Sequence, residues 1–385
     1  TIKKLRSLLR ESIRLRMMSD VPVGAFLSGG IDSSLNVALM TEIMDRPVES
    51  FSVAINNDKK SNELKYAKEV AKTFHTNHHE ETISNKDFIE FLPEMVKIQD
   101  EPIADPVCIP LYFVSKLARN SKTYVIQVGE GVDELFCGYS LYSTLENFNR
   151  SYYEPFSNLP YIIKKCLGGI GKVFLPEKKQ RYFDWAIKNQ ELFWGGVNIF
   201  SEKQKTQLLN KNYKYNSYTD FVEPLYNGLY SKSSDYDFIS KMIYMDIKHR
   251  LPELLLMRVD KMAMASSVET RVPYLDHKLV EFALNVPSNM KIKNGIGKYI
   301  LKESARGLIP GKIIDRPKVG FCGSADSMMS PEFLNYSKNE INKSLWMKET
   351  FNLDYINQII KFHVDGKGNN GMKIYSLINL CLWHK

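Results

Sequence analysis

The sequence predicts an α/β protein: a doubly wound parallel sheet followed by a largely helical second half. Three observations predict it. Strand and helix patterns alternate over the first 140 residues, as crossover-linked parallel strands require. Two glycine-rich loops, starting at Ser28 and Gly129, each directly follow an apolar run. That places both at the carboxyl ends of strands, where such sheets bind ligands. From residue 241 onward the pattern is mostly helical, and no internal repeat or low-complexity linker appears.

The elements follow in order. An amphipathic helix begins at once, with Ile2, Leu5, Leu9 and Ile13 on one face. Residues 21–27 read as a strand, 32–44 as a helix and 49–55 as a strand. Residues 62–74 form a helix with Leu64, Ala67, Val70 and Ala71 on one side. A short strand at 78–83 is followed by helices at 87–98 and 110–120, then a strand at 124–128. Residues 1–150 are therefore expected to form a nucleotide-binding α/β core. Residues 151–240 are rich in Tyr, Phe, Trp, Lys and Asn, with breaks at Gly168-Gly169 and Gly195-Gly196. They read as a variable insertion of helices and long loops, in which Trp185, Phe193 and Trp194 are core packing rather than a ligand box. Residues 241–385 are expected to complete the site.

Composition narrows the class. The chain is 44% hydrophobic and 25% charged, as in ordinary soluble globular proteins. No apolar run approaches the ~18 residues of a membrane span. Cys108, Cys137, Cys166, Cys322 and Cys381 are odd in number, far apart and without C-x-x-C spacing. A disulfide framework or zinc site is not expected, and a reducing, cytoplasmic setting is. The net charge of +8 is partly in the first helix, where Lys3, Lys4, Arg6, Arg10, Arg14 and Arg16 face only Glu11. A solvated or interdomain face is the preferred reading of that helix over a nucleic-acid surface.

The first loop, Ser28-Gly29-Gly30-Ile31-Asp32-Ser33-Ser34, offers backbone N–H groups, hydroxyls and a helix N-terminus to an anion. Its glycines let phosphate oxygens approach the backbone. Asp32 would repel a bare phosphate, so it implies a bridging Mg²⁺. The lysine and spacing of a Walker A motif are missing, so this is a different phosphate cradle; an ordinary Gly-Ser turn is the alternative. The second loop runs Gly129-Glu130-Gly131-Val132-Asp133-Glu134-Leu135-Phe136-Cys137-Gly138-Tyr139. Its carboxylates suit the other half of a Mg²⁺ site, and one placed near a reacting carbonyl suits proton removal from an attacking amine. A solvated acidic turn is the alternative here.

The first loop resembles the pyrophosphate loop of the ATP-pyrophosphatase enzymes, the adenine nucleotide α-hydrolase-like type of sheet. The second resembles the signature loop of the glutamine-dependent asparagine synthetase family. Two further blocks agree: Arg258 to Ala265 with Glu269 to His277, and Gly297 to Lys302 with Arg316 to Phe321. The resemblance implies that Ser28, Gly29, Gly30, Ser33 and Ser34 hold phosphates, and that Asp32 and Asp133 bind Mg²⁺. It implies that Leu27, Val53 and Gly129 flank the adenosine, with Val53 offering its backbone. It further implies that Glu130 assists ammonia attack, and that Lys298 stabilises charge at the α-phosphate with help from Lys318. Arg271 and Asp260 are read as structural ion partners.

The implied reaction is amide formation: ATP adenylylates a carboxylate, and ammonia displaces AMP. Aspartate is the leading substrate, with a sugar uronic acid or a natural-product acid as the alternative. A tRNA-modifying enzyme using the same loop is a more distant one. Partners implied are a small carboxylate, ammonia and a glutaminase domain or subunit that supplies it; a homodimer is a further expectation. The family's amino-terminal glutaminase domain is absent from this sequence, which starts at Thr1 about where the synthetase domain starts. Two departures stand out. Val132 replaces a common serine, and Cys137 replaces the first glycine of Phe-Gly-Gly-Tyr.

Overall fold

In the computed structural model, strands β1 (Val23–Phe26), β2 (Glu49–Ile55), β3 (Asn77–Ile83), β4 (Val125–Gln127) and β5 (Glu269–Arg271) form one sheet. Their order is β3-β2-β1-β4-β5 and every pairing is parallel. The structure describes residues 1–385 except 57–62, 175–176, 189, 194–198, 231–235, 319 and 321–328. It also leaves undescribed the side chains of 171–174, 177–181, 218–219 and 229–230. Trp194, Gly195-Gly196, Val319, Phe321 and Cys322 lie outside the described residues.

The order explains where a ligand fits. From β1 the chain winds outward through β2 to β3, then returns to place β4 on the other side of β1. Helices leaving β1 and β4 therefore diverge, and a crevice opens at their carboxyl ends. Helices α1 (Ile2–Leu15), α2 (Ile31–Thr41), α3 (Glu63–Thr73), α4 (Asn85–Gln99), α5 (Cys108–Asn120) and α6 (Val132–Phe136) accompany the first four strands. The predicted elements match these to within three residues at every described end.

Adjacent strand residues face opposite ways, and β4 divides the core accordingly. Val125 joins a cluster with Leu5, Leu9, Leu27, Leu35 and Ile300, whereas Ile126 joins Phe51, Val53, Leu92, Val114 and Tyr375. One apolar layer thus covers each sheet face. Gly24 lies where β1 packs most closely; a Cβ there would come within 3.1 Å of the Phe51 ring and the Thr123 methyl.

Among the described residues, 151–240 contain helices and no strand of the sheet. Phe193 packs against Tyr142, their ring centroids 6.2 Å apart, and Trp185 meets Tyr182 edge-on. The basic helix α1 is an internal face in part. Its Arg6 donates to the Ser304 carbonyl, Arg10 pairs with Glu42, and Arg16 pairs with Asp276 at 3.1 Å. Cys108, Cys137 and Cys381 are buried free thiols, and Cys166 is free and exposed. No described helix is long and apolar enough to cross a membrane.

The fifth strand lies in the part that the sequence reading gives as mostly helical, with no strand named beyond residue 241. Glu269–Arg271 is three polar residues long and partly exposed. It carries no alternating apolar signal, and pairing with β4 alone makes it a strand. Arg271 then bonds Glu269 and the carbonyls of Arg16 and Met18. Asp260 is exposed.

Candidate active site

The crevice is built from three turns. The first joins β1 to α2. Leu27 N–H donates to the Phe51 carbonyl at 2.8 Å, so the loop leaves the sheet directly after it. Gly29 then takes φ +69°, a left-handed conformation that favours glycine. A side chain there would also collide with Tyr66 and Ala67 of α3. Arg316 clamps this turn, donating to the Gly29 carbonyl at 2.9 Å while its guanidinium lies 4.1 Å from the Tyr66 ring centroid. The loop hydroxyls are folded inward: Ser33 Oγ accepts from Ser28 N–H at 3.2 Å, and Ser28 Oγ accepts from Gly30 N–H at 3.3 Å. Asp32 stands in the first turn of α2, its carbonyl held by Tyr274 Oη at 2.8 Å.

The second turn joins β4 to α6. A Cβ on Gly129 would lie 3.1 Å from the Asp32 Cβ, so glycine lets the two loops close on each other. Asp133 and Glu134 occupy the first turn of α6.

The third turn brings Lys298, which precedes the helix Tyr299–Ala305 with φ +56°. Its N–H donates to the Phe136 carbonyl at 2.8 Å. Two glycines make room for it. A Cβ on Gly297 would overlap the Cys137 carbonyl, and one on Gly138 would overlap Asp133 Oδ1 and Lys298 Cε.

These turns converge on alternating charges. Lys298 Nζ lies 2.6 Å from Asp32 Oδ2 and 2.6 Å from Asp133 Oδ1. Lys318 Nζ lies 2.6 Å from Asp133 Oδ2. Burial alone would raise Asp133, but the two ammonium groups override it and hold the carboxyl well below its ordinary range. Burial, reinforced by Asp133, pushes Asp32 upward against the pull of Lys298. For Lys318, burial is outweighed by Asp133, and the ammonium is raised.

A divalent cation fits this pair of carboxylates. Asp32 Oδ1 is buried with no hydrogen-bond partner, and oxygen ligands are what Mg²⁺ requires. Among the described residues, no cluster of three or more metal-ligating His, Cys, Asp or Glu side chains occurs. Phosphate and water oxygens would have to complete the shell.

Of the other predicted residues, Ser28, Gly30, Asp32, Lys298 and Lys318 line a cleft of about 830 Å³. Leu27, Gly29, Ser33, Ser34, Val53, Gly129, Glu130 and Asp133 are not on its wall. Leu27 and Val53 are core side chains on opposite sheet faces, and Ser34 is fully buried. Glu130 is held separately. Arg258, from the helix Met257–Met264, ion-pairs with Asp105 and stands 3.6 Å from Glu130 Oε1. Burial raises the Glu130 carboxyl, opposed by Arg258.

The family model described as Asparagine synthase matches residues 4–385. The chain belongs to the asparagine synthase family. Asparagine synthetase [glutamine-hydrolyzing] 1 of Bacillus subtilis is 35% identical over the whole chain, which covers 59% of that relative. A putative asparagine synthetase of Mycobacterium tuberculosis is 29% identical over 99% of the chain and 57% of its own length. The chain thus spans somewhat more than half the length of these curated relatives. Among solved structures, a U34-tRNA thiolase from Methanococcus maripaludis aligns with 66% of this chain and 79% of its own, at 11% identity and a TM-score of 0.27; that likeness is too slight to bear on function.

In this member of the family, residues beyond the predicted set also build the site. Arg258 and Arg316 stand inside the sequence blocks that carry the family resemblance, so the signal for them was present. Tyr139 donates to Glu134 Oε1 at 2.6 Å, and burial with the neighbouring Asp133 charge raises that carboxyl to about 7. Cys137 ends α6 at φ +58°, a left-handed conformation that favours glycine. Its thiol is buried and pushed up to about 12 by desolvation, so it is no nucleophile.

Proposed function

We propose that the chain is the adenylylating, amide-forming part of an asparagine synthase: a ligase that joins ammonia to a carboxylate at the expense of ATP. The observation that carries this reading is the Asp32–Lys298–Asp133–Lys318 array beside a glycine-rich turn. Ser28, Gly29, Gly30, Ser33 and Ser34 cradle the phosphates, and Leu27, Val53 and Gly129 flank the adenosine. Bound between Asp32 and Asp133, Mg²⁺ would neutralise phosphate charge and orient the leaving pyrophosphate.

The chain's own groups then act in sequence. A carboxylate oxygen of the acid bonds to the α-phosphorus, and the bond to the bridging oxygen of pyrophosphate breaks. Lys298 stabilises the charge that develops on the α-phosphate, with Lys318 beside it. Ammonia next bonds to the acyl carbon, and AMP leaves. The ammonium proton passes to Glu130, whose raised affinity for protons suits a base and whose position Arg258 fixes.

Aspartate is the preferred acid and asparagine the product, with a sugar uronic acid or a natural-product acid as the alternative. The ammonia is supplied by a glutaminase domain or subunit, as the names of the relatives suggest for them. Incubation with ATP, Mg²⁺, ammonium and candidate acids tests the reading. Acid-dependent AMP formation supports it, and ADP in place of AMP refutes it.

A further inference from the structure

We propose that Arg250 is a specificity-determining residue of this cleft, its guanidinium taking a second anionic group on the acid, remote from the carboxyl that reacts. The inference rests on the ligase reading above and adds the class of acid. Arg250 lies on the wide-turned helix Asp246–Leu256 and lines the same cleft as Ser28, Asp32 and Lys298. Of the cations on the cleft wall, Lys298, Lys318 and Arg316 are committed to the two phosphate-side loops. Lys302 stands one turn beyond Lys298, on the same helix. Arg250 is instead on the tyrosine side, its guanidinium 4.6 Å from the Tyr139 ring centroid. Lys318 Nζ is 5.9 Å from the centroid of that same ring. The reacting end and Arg250 are therefore neighbours across one side chain.

Arg250 is held in place without being saturated. Its nearest anion is Glu134 Oε1 at 3.9 Å, beyond hydrogen-bond range. Glu134 already accepts from Tyr139, and Asp246 accepts from Tyr142. Arg250 Nε is buried with no hydrogen-bond partner, while the side chain as a whole stays 22% exposed. A half-buried cation whose buried Nε lacks a partner is costly, and a planar guanidinium matches carboxylate or phosphate bidentately. The acid accordingly carries a second carboxylate or a phosphate; a simple monocarboxylic acid leaves Arg250 unpaired.

Calorimetric titration of the 385-residue chain, loaded with Mg²⁺ and a non-hydrolysable ATP analogue, tests this. Aspartate and succinate offer a second carboxylate, a uronic acid 1-phosphate offers a phosphate, and propionate offers neither. One of the dianionic arms is expected to bind at least tenfold tighter than propionate, and which one binds identifies the anion. Arg250→Gln is expected to weaken that arm tenfold to a hundredfold and to leave propionate and nucleotide binding unchanged. Arg250→Lys, which keeps the charge, recovers part of the loss and excludes misfolding as its cause. Equal binding of propionate, no binding by any arm, or an unaffected Arg250→Gln variant overturns the inference. Dianion binding without AMP formation would instead preserve it and defeat the ligase reading.

Discussion

Lys298 and Asp32, 266 residues apart in the chain, meet at 2.6 Å through Nζ and Oδ2. The same ammonium reaches Asp133. One side chain therefore ties the carboxyl ends of β1 and β4 to a turn contributed by the helical second half.

On the proposed mechanism, replacing Lys298 removes a charge interaction that strengthens as the transition state forms. Lys298→Ala is expected to keep nucleotide affinity within about tenfold and to lower turnover by on the order of 10³ or more. Steady-state AMP release and direct nucleotide titration separate these effects. Wild-type turnover in the variant would remove Lys298 from the mechanism.

Gly297 tests whether the turn itself matters. A Cβ there overlaps the Cys137 carbonyl, so Gly297→Ala has to displace either α6 or Lys298. A loss of about 1–3 kcal/mol in stability is expected, together with reduced turnover. Denaturant unfolding beside an activity assay reads both, and an unchanged midpoint contradicts the close approach.

Cys137 reverses a usual ranking. Glycine normally destabilises relative to alanine, but at φ +58° the left-handed backbone penalises any Cβ by about 1 kcal/mol. Cys137→Gly and Cys137→Ala lose similar buried surface. The glycine variant is expected to be the more stable of the two by thermal melting; the opposite order would mean that packing of the Cβ outweighs strain.

Asp276 carries a pH signature. Burial acts to raise its carboxyl, but the hydrogen bond from Arg16 overrides this and depresses it below its unfolded value. Its contribution is therefore present above about pH 4 and is lost as pH falls through the lower, folded value. Asp276→Asn retains a side-chain oxygen to cap the helix His277–Leu284. It is expected to cost about 1 kcal/mol near pH 7, with the difference from wild type vanishing in strong acid. A deficit that persists at low pH would assign the loss to packing.

Much of the sheet was legible because β1, β2 and β4 carry buried apolar residues and the helices between the strands have clear buried faces, although β3 is polar up to Ile83. Strand β5 was not, since Glu269, Thr270 and Arg271 have neither signal. In the site, Ser28 to Ser34 and Gly129 to Tyr139 declared themselves by glycines and carboxylates packed into short stretches. Arg258 stood in a recognised block, but its pairing with Asp105 spans 153 residues, a relationship that local pattern does not encode. Arg250 had no motif at all; only the fold sets it against Tyr139.

Exchange of labelled pyrophosphate into ATP tests the central claim most directly, because it reports adenylylation before ammonia is needed. Exchange is expected only when a suitable acid and Mg²⁺ are present, and it should disappear in a folded Asp32→Ala variant. Exchange that proceeds without acid, or at full rate in Asp32→Ala, would contradict the account.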